Sequence, residues 1–300
     1  MDLISRRRGC LLGLACGDAV GTTVEFLPRG SFPPVTDMVG GGPFSLPVGA
    51  WTDDTSMALC LASSLAELGH FDPADQMRRY CRWHETGYLS STGRCFDIGL
   101  TVRGSLDRFR RTGDPFSGPT DRDSAGNGCL MRLAPVPIFC HPDAAETVRL
   151  SGESARTTHG AAECVEASRL LGAMLGRALS GGTKDDVLFG TPPDQFETPS
   201  VRAIAAGTYR DVPESAVRGS GYVIACLEAA AWCFWHATSF RDAVSKAANL
   251  GDDADTTAAV CGQLAGAFYG EPGIPAEWLA KLVMAAEIRA LADALRPTPS

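Results

Sequence analysis

The sequence predicts a mostly helical protein folded as one compact domain. Three observations carry this. Apolar residues recur at three- and four-residue spacing through much of the chain, and β-branched residues never alternate over more than a few positions. No internal repeat and no long disordered linker divides the 300 residues.

Taken in order, the chain opens with Ser5-Arg6-Arg7-Arg8 and the apolar run Cys10 to Cys16. That pairing superficially resembles an export signal. The apolar run ends after about eight residues at Gly17-Asp18 and no clear cleavage site follows, so a cytoplasmic protein is expected. Breaker-rich stretches at Pro28 to Pro47, Gly113 to Asn127 and Gly181 to Pro199 read as loops. Leu59, Ala62 and Ala66 extend a helix from Asp53-Asp54, and Val165, Leu170, Leu171 and Met174 give Ala161 to Leu179 a core-helix pattern. Val223 to Trp235 is apolar on nearly every face and predicts a central, covered helix. Ala258 to Tyr269, rich in Ala and Gly, lets a neighbouring helix approach closely, and Pro275 to Leu295 reads as one closing amphipathic helix. Trp51, Trp83, Trp232 and Trp235 read as core residues.

A net charge of −8 argues against a nucleic-acid backbone as partner, and no stretch reaches transmembrane length. The 11 cysteines are scattered singly with no C-x-x-C pair, which suits buried, reduced thiols in a reducing cytosol.

Chemistry concentrates in two acidic clusters about 200 residues apart, Thr52-Asp53-Asp54-Thr55 and Asp252-Asp253-Ala254-Asp255-Thr256. Either alone reads as a helix cap. Capping, however, does not require several oxygen-bearing side chains in a row, and burying like charges together is costly. With oxygen donors and no adjacent His or Cys, a hard cation such as Mg²⁺, Mn²⁺ or Ca²⁺ is the economical explanation. Brought together, the clusters suit two ions, a common hydrolytic arrangement.

Cys10 to Gly21, Glu25, Trp51-Thr52-Asp53-Asp54-Thr55, Gly126-Asn127-Gly128-Cys129-Leu130-Met131-Arg132, Thr157-Thr158-His159 and Gly251 to Thr256 occur in that order. The series resembles the ADP-ribosylglycohydrolase family from about Arg8 to Gly270. The resemblance implies an all-α orthogonal bundle, residues 1–300 as a single domain, with a binuclear Mg²⁺ or Mn²⁺ centre. It also implies hydrolysis of ADP-ribose from a modified protein side chain, with ADP-ribosyl-arginine the favoured linkage. A non-catalytic ADP-ribose-binding protein, or a hydrolase of O-linked or small-molecule conjugates, is the alternative. The expected partner is an ADP-ribosylated protein, and a monomer is expected.

Carried over by position, Thr52, Asp53, Asp54, Asp253, Asp255 and Thr256 resemble the family's metal ligands. Many members have Gly-Gly-Asp where this chain has Gly251-Asp252-Asp253, so Asp252 is read as an extra carboxylate beside the ligands or facing solvent. Glu25 resembles the family's proton-handling carboxylate, with Asp97 in its Gly-rich loop as the second candidate. Gly126, Asn127 and Gly128 resemble a phosphate-embracing turn, supported by Arg132, and His159, Gly219, Gly221 and Tyr222 are further candidates for contact with ADP-ribose. Asp18 is expected to hold a turn through backbone hydrogen bonds.

Overall fold

A computed structural model describes residues 1–296. Helices α1 (Leu3–Gly21), α2 (Asp53–Leu68), α3 (Pro73–Thr86), α4 (Leu100–Thr112), α5 (Pro135–Cys140), α6 (Ala144–Arg156) and α7 (Ala162–Leu179) form the first part of the chain. Helices α8 (Lys184–Phe189), α9 (Pro199–Ala205), α10 (Val223–His236), α11 (Phe240–Ala248), α12 (Ala254–Tyr269), α13 (Ala276–Lys281) and α14 (Ala285–Ala294) complete it. Among the described residues the only β pairing is two isolated bridges, Gly41 with Leu46 and Gly126 with Tyr222. The fold is all-α.

The helix pair that organises the molecule is α1 against α12. Gly9, Gly13, Gly17 and Gly21 recur every fourth residue and so lie along one face of α1. A Cβ at Gly13 would stand 2.3 Å from the Gly262 carbonyl oxygen, and one at Gly17 2.1 Å from that of Ala258. The two backbones therefore touch directly, as the Ala/Gly content of α12 leads one to expect. The N-terminal run is this buried helix, started by Asp2, whose carboxylate accepts from the Ser5 amide at 2.7 Å.

Helix α10 is buried along most of its length, and α7 packs against α6, α10 and α12. A second cluster, Met57, Met77, Tyr80, Trp83, Val102 and Leu106, ties α2 to α3 and α4 and supports the loop that carries Asp97. Trp51, Trp83 and Trp232 are buried, while Trp235 is only half-buried, edge-on to Phe189.

Two expectations change. The closing helix is broken into α13 and α14 at Met284, which has a left-handed φ of 59°. The break follows from Val283, whose amide donates to the Gly49 carbonyl and whose own carbonyl accepts from the Trp51 indole. Those backbone groups are withdrawn from a helical ladder. The stretch Gly181 to Pro199 is not purely loop: α8 starts on a reciprocal cap between Thr183 and Asp186. Pro28 to Pro47 is free of helix, and Gly113 to Asn127 holds only one short 3₁₀ turn before Asn127. No described helix is long and apolar enough to cross a membrane.

Candidate active site

The close α1–α12 seam sets the C-terminal end of α1 beside the N-terminal end of α12, and α2 begins at the same point. Asp18 lies in α1 and is fully buried, so the turn role expected for it is replaced by a helix-to-helix one. Its carboxylate accepts from the Thr52 amide at 2.9 Å, the Thr52 hydroxyl at 3.0 Å, the Thr55 amide at 3.1 Å and the Thr55 hydroxyl at 2.6 Å. The first turn of α2 leaves amides without helical partners, and Asp18 caps them from another helix. Burial pushes the Asp18 carboxyl up to about 6 even with these donors opposing the shift.

With α2 fixed, the two acidic clusters meet. The Thr256 hydroxyl donates to Asp54 Oδ1 at 3.2 Å across 202 positions of sequence, and Thr52 Oγ1 lies 3.4 Å from Asp255 Oδ2. Asp253 Oδ2 accepts from the Asn127 side-chain amide at 2.6 Å. One oxygen each from Glu25, Asp97 and Asp255 lies within 4.8 Å of the others.

So many carboxylates in one buried place cannot all ionise at low cost. Burial first, then the charges of Asp97 and Asp253, push Glu25 up to about 9. Burial, then Asp18 and Asp253, push Asp97 up to about 8. Asp53, Asp54 and Asp255 are raised well above the usual carboxylate range, by burial foremost. Two buried oxygens, Glu25 Oε2 and Asp54 Oδ2, have no hydrogen-bond partner. Unpartnered, buried, all-oxygen donors fit a hard divalent cation, so the acidic cluster is suited to metal.

These groups form the floor of a cavity of about 710 Å³. Glu25, Asp53, Asp97, Asp253, Asp255 and Thr256 line it, with Gly126, Asn127, Gly128, His159 and Gly221 on the wall. Thr52 and Asp54 sit behind that floor rather than on it. Gly219 is packed against Thr257, and the Tyr222 hydroxyl donates to Glu163 at 2.7 Å, so neither lines the cavity.

The Gly126–Gly128 wall is anchored rather than open. The Gly126 amide donates to Ser124 and the Asn127 amide to Gly221, so both are already committed. Gly128 gives room to His159: a Cβ there would come 2.8 Å from the imidazole. Burial, aided by Arg132, pushes His159 down to about 3, so the ring is neutral at physiological pH. Arg132 is neither on the surface nor in the cavity. It is fully buried, donating to the Gly128 carbonyl at 2.8 Å and the Thr158 hydroxyl at 2.6 Å with its guanidinium over Tyr80. It braces the wall from behind.

Sequence reasoning passed over Phe26, Leu100, Thr101 and Val102, which also line the cavity.

The chain matches the ADP-ribosylglycohydrolase family over residues 1–299, and it belongs to that family. It is 46% identical over 292 residues to ADP-ribosylarginine hydrolase Tri1 of Pseudomonas putida (strain GB-1), covering 97% of this chain and 78% of that protein. It is 34% identical to the ADP-ribosyl-[dinitrogen reductase] glycohydrolase of Rhodospirillum rubrum, covering 97% and 95% respectively. A solved ADP-ribosylglycohydrolase-related protein complex contains a chain that superposes with a TM-score of 0.86 at 45% identity, each chain covered to 98%. These similarities make the protein a hydrolase of ADP-ribosyl glycosidic bonds.

Proposed function

We propose that this protein, acting as one domain over residues 1–300, removes ADP-ribose from modified arginine side chains. The carrying observation is the convergence of two remote acidic clusters on the floor of one cavity, with two buried oxygens left unpartnered. The arginine linkage is supported by the similarity to hydrolases named for ADP-ribosylarginine.

In this reading Thr52, Asp53, Asp54, Asp253, Asp255 and Thr256 together would hold two Mg²⁺ or Mn²⁺ ions. Bound there, the ions supply positive charge that orients the ribose hydroxyls and acidifies the attacking water. The bond from the anomeric carbon to the guanidine nitrogen breaks as a water oxygen bonds that carbon, through an oxocarbenium-like state. With the cations' charge holding Glu25 ionised, Glu25 would accept the proton released by the water, and Asp97 would supply one to the leaving guanidine nitrogen. Asn127 orients Asp253, while His159 and the Gly126–Gly128 and Gly221 backbone shape the wall for the pyrophosphate. The all-thiol cysteines suit a reducing cytoplasm, where we place the protein as a monomer.

The test is a linkage panel. Metal-stripped protein reconstituted with Mg²⁺ or Mn²⁺ is offered arginine-, serine-, glutamate- and nucleobase-linked ADP-ribose. Release of free ADP-ribose chiefly from the arginine conjugate is expected. Tight ADP-ribose binding with no turnover on any linkage would replace this reading with a binding role.

A further inference from the structure

Three residues around the cavity mouth adopt the left-handed backbone that side chains rarely take: Phe26 at φ 64°, Asp97 at φ 58° and Asp252 at φ 54°. For a bulky residue such as Phe26 this is a real outlier, and such strain persists only where neighbours enforce it. Phe26 and Asp252 enforce it on each other's segments. The Phe26 amide donates to the Asp252 carbonyl at 2.7 Å, and the Asp252 amide donates to the Leu27 carbonyl at 2.8 Å. A loop from the first turn beyond α1 is thereby stitched to the first residue of the second acidic cluster.

The strained pair presents two side chains to the same opening. Phe26 is 62% exposed, its ring steadied edge-on by Phe44, which in turn leans on Phe96 beside Asp97. Asp252 is exposed, and its carboxylate has no ion-pair or hydrogen-bond partner among the described residues. Both line the cavity next to Glu25, and Asp252 stands on the ridge shared with a neighbouring recess formed by Arg29, Glu214 and Arg218. An exposed aromatic face beside a free carboxylate is the pairing that a planar guanidinium satisfies, by stacking and by charge-assisted hydrogen bonding together.

We propose that Phe26 and Asp252 form the subsite for the guanidinium of the acceptor arginine. The inference rests on the arginine reading above and deepens it. Strain is spent here to hold a ring and a charge where the leaving group departs, beside the carboxylate that handles the water's proton. The pair then sets preference for a cationic acceptor over an uncharged one.

The test uses the full chain loaded with Mg²⁺ or Mn²⁺. Asp252→Asn removes the charge with a residue that tolerates a left-handed backbone, and Phe26→Leu keeps apolar bulk without the ring face. KM for ADP-ribosyl-arginine is expected to rise about tenfold in the first and roughly threefold in the second, with kcat much less affected. The preference for arginine- over serine-linked substrate falls in step. A titration with ADP-ribose establishes that each variant is folded. Agmatine, a free guanidinium, is then titrated into the ADP-ribose complex, where wild type binds it and Asp252→Asn binds it about tenfold more weakly. Equal losses on both linkages, or agmatine binding that is absent in wild type or unchanged in the variants, would overturn the subsite. Wild type that turns over only other linkages would instead overturn the arginine reading, and the agmatine titration then decides the subsite alone.

Discussion

Asp18 Oδ2 accepts the Thr55 hydroxyl at 2.6 Å, joining the inside of α1 to the first turn of α2 across 37 positions of sequence. The same carboxylate takes the Thr52 amide and hydroxyl. The floor of the cavity is therefore positioned by a residue that does not line it.

Replacing Asp18 with Asn presents an amide donor where donors already converge. Asp18→Asn should lower stability by about 2–3 kcal/mol, the scale of a broken buried network. Urea unfolding measures the loss. Metal titration of the same variant should show weakened binding, because Thr52 and the first turn of α2 that carries Asp54 lose their anchor. An unchanged midpoint would mean the four contacts are dispensable.

The raised carboxylates set a pH dependence for metal-stripped protein. Glu25 at about 9 and Asp97 at about 8 lie above the 4.5 and 3.8 ordinary for these side chains. Between those limits the folded state binds more protons than the unfolded chain, so stability falls as pH rises. The contribution is fully present below about pH 4 and is lost as pH climbs through 8 to 9, at up to about 1.4 kcal/mol per pH unit for each proton involved. Melting curves of chelated protein at pH 6 and pH 8.5 should show the lower Tm at the higher pH. Adding Mn²⁺ should reverse the order, since the metal favours ionised ligands.

Asp54→Ala and Asp253→Ala each remove a carboxylate from a different cluster. Both are expected to reduce ADP-ribose release by roughly 100-fold or more and to abolish the rise in Tm that Mn²⁺ gives wild type. Full turnover in both would contradict the ligand assignment.

The α1–α12 seam predicts opposite outcomes for two glycine-to-alanine changes. At Gly17 the new Cβ would stand 2.1 Å from the Ala258 carbonyl oxygen, so Gly17→Ala should cost about 2–3 kcal/mol by forcing the backbones apart. At Gly104, within α4, nothing lies within 4 Å, and Gly104→Ala should stabilise by about 0.5–1 kcal/mol. Denaturation midpoints compare them directly.

Sequence pattern made the strongest helices legible: α7 by its apolar spacing, α10 by a run apolar on nearly every face and α12 by its Ala and Gly content. The closing segment misled because its pattern suits one helix, while the break comes from the Trp51 indole and Gly49 reaching Val283 from far away in sequence. The α1 run was obscured by its glycines, whose meaning appears only once α12 lies against them. At the site, the acidic clusters announced themselves through unusual carboxylate density. Asp18 did not, since a single Asp in an apolar stretch looks like a turn until its four donors are seen. Phe26 and Asp252 owe their placement to a backbone pairing between segments remote in sequence, which no local pattern encodes.

The glycine-lined contact between the first and twelfth helices also governs how a newborn chain must wait. The apolar flank of the opening helix leaves the ribosome roughly 240 residues before its mate, a delay of about ten to fifty seconds at ordinary synthesis rates. During that interval the flank is uncovered and the cavity floor does not exist. The α1–α12 seam, and with it the cavity floor, can assemble only once Ala254–Tyr269 has been made.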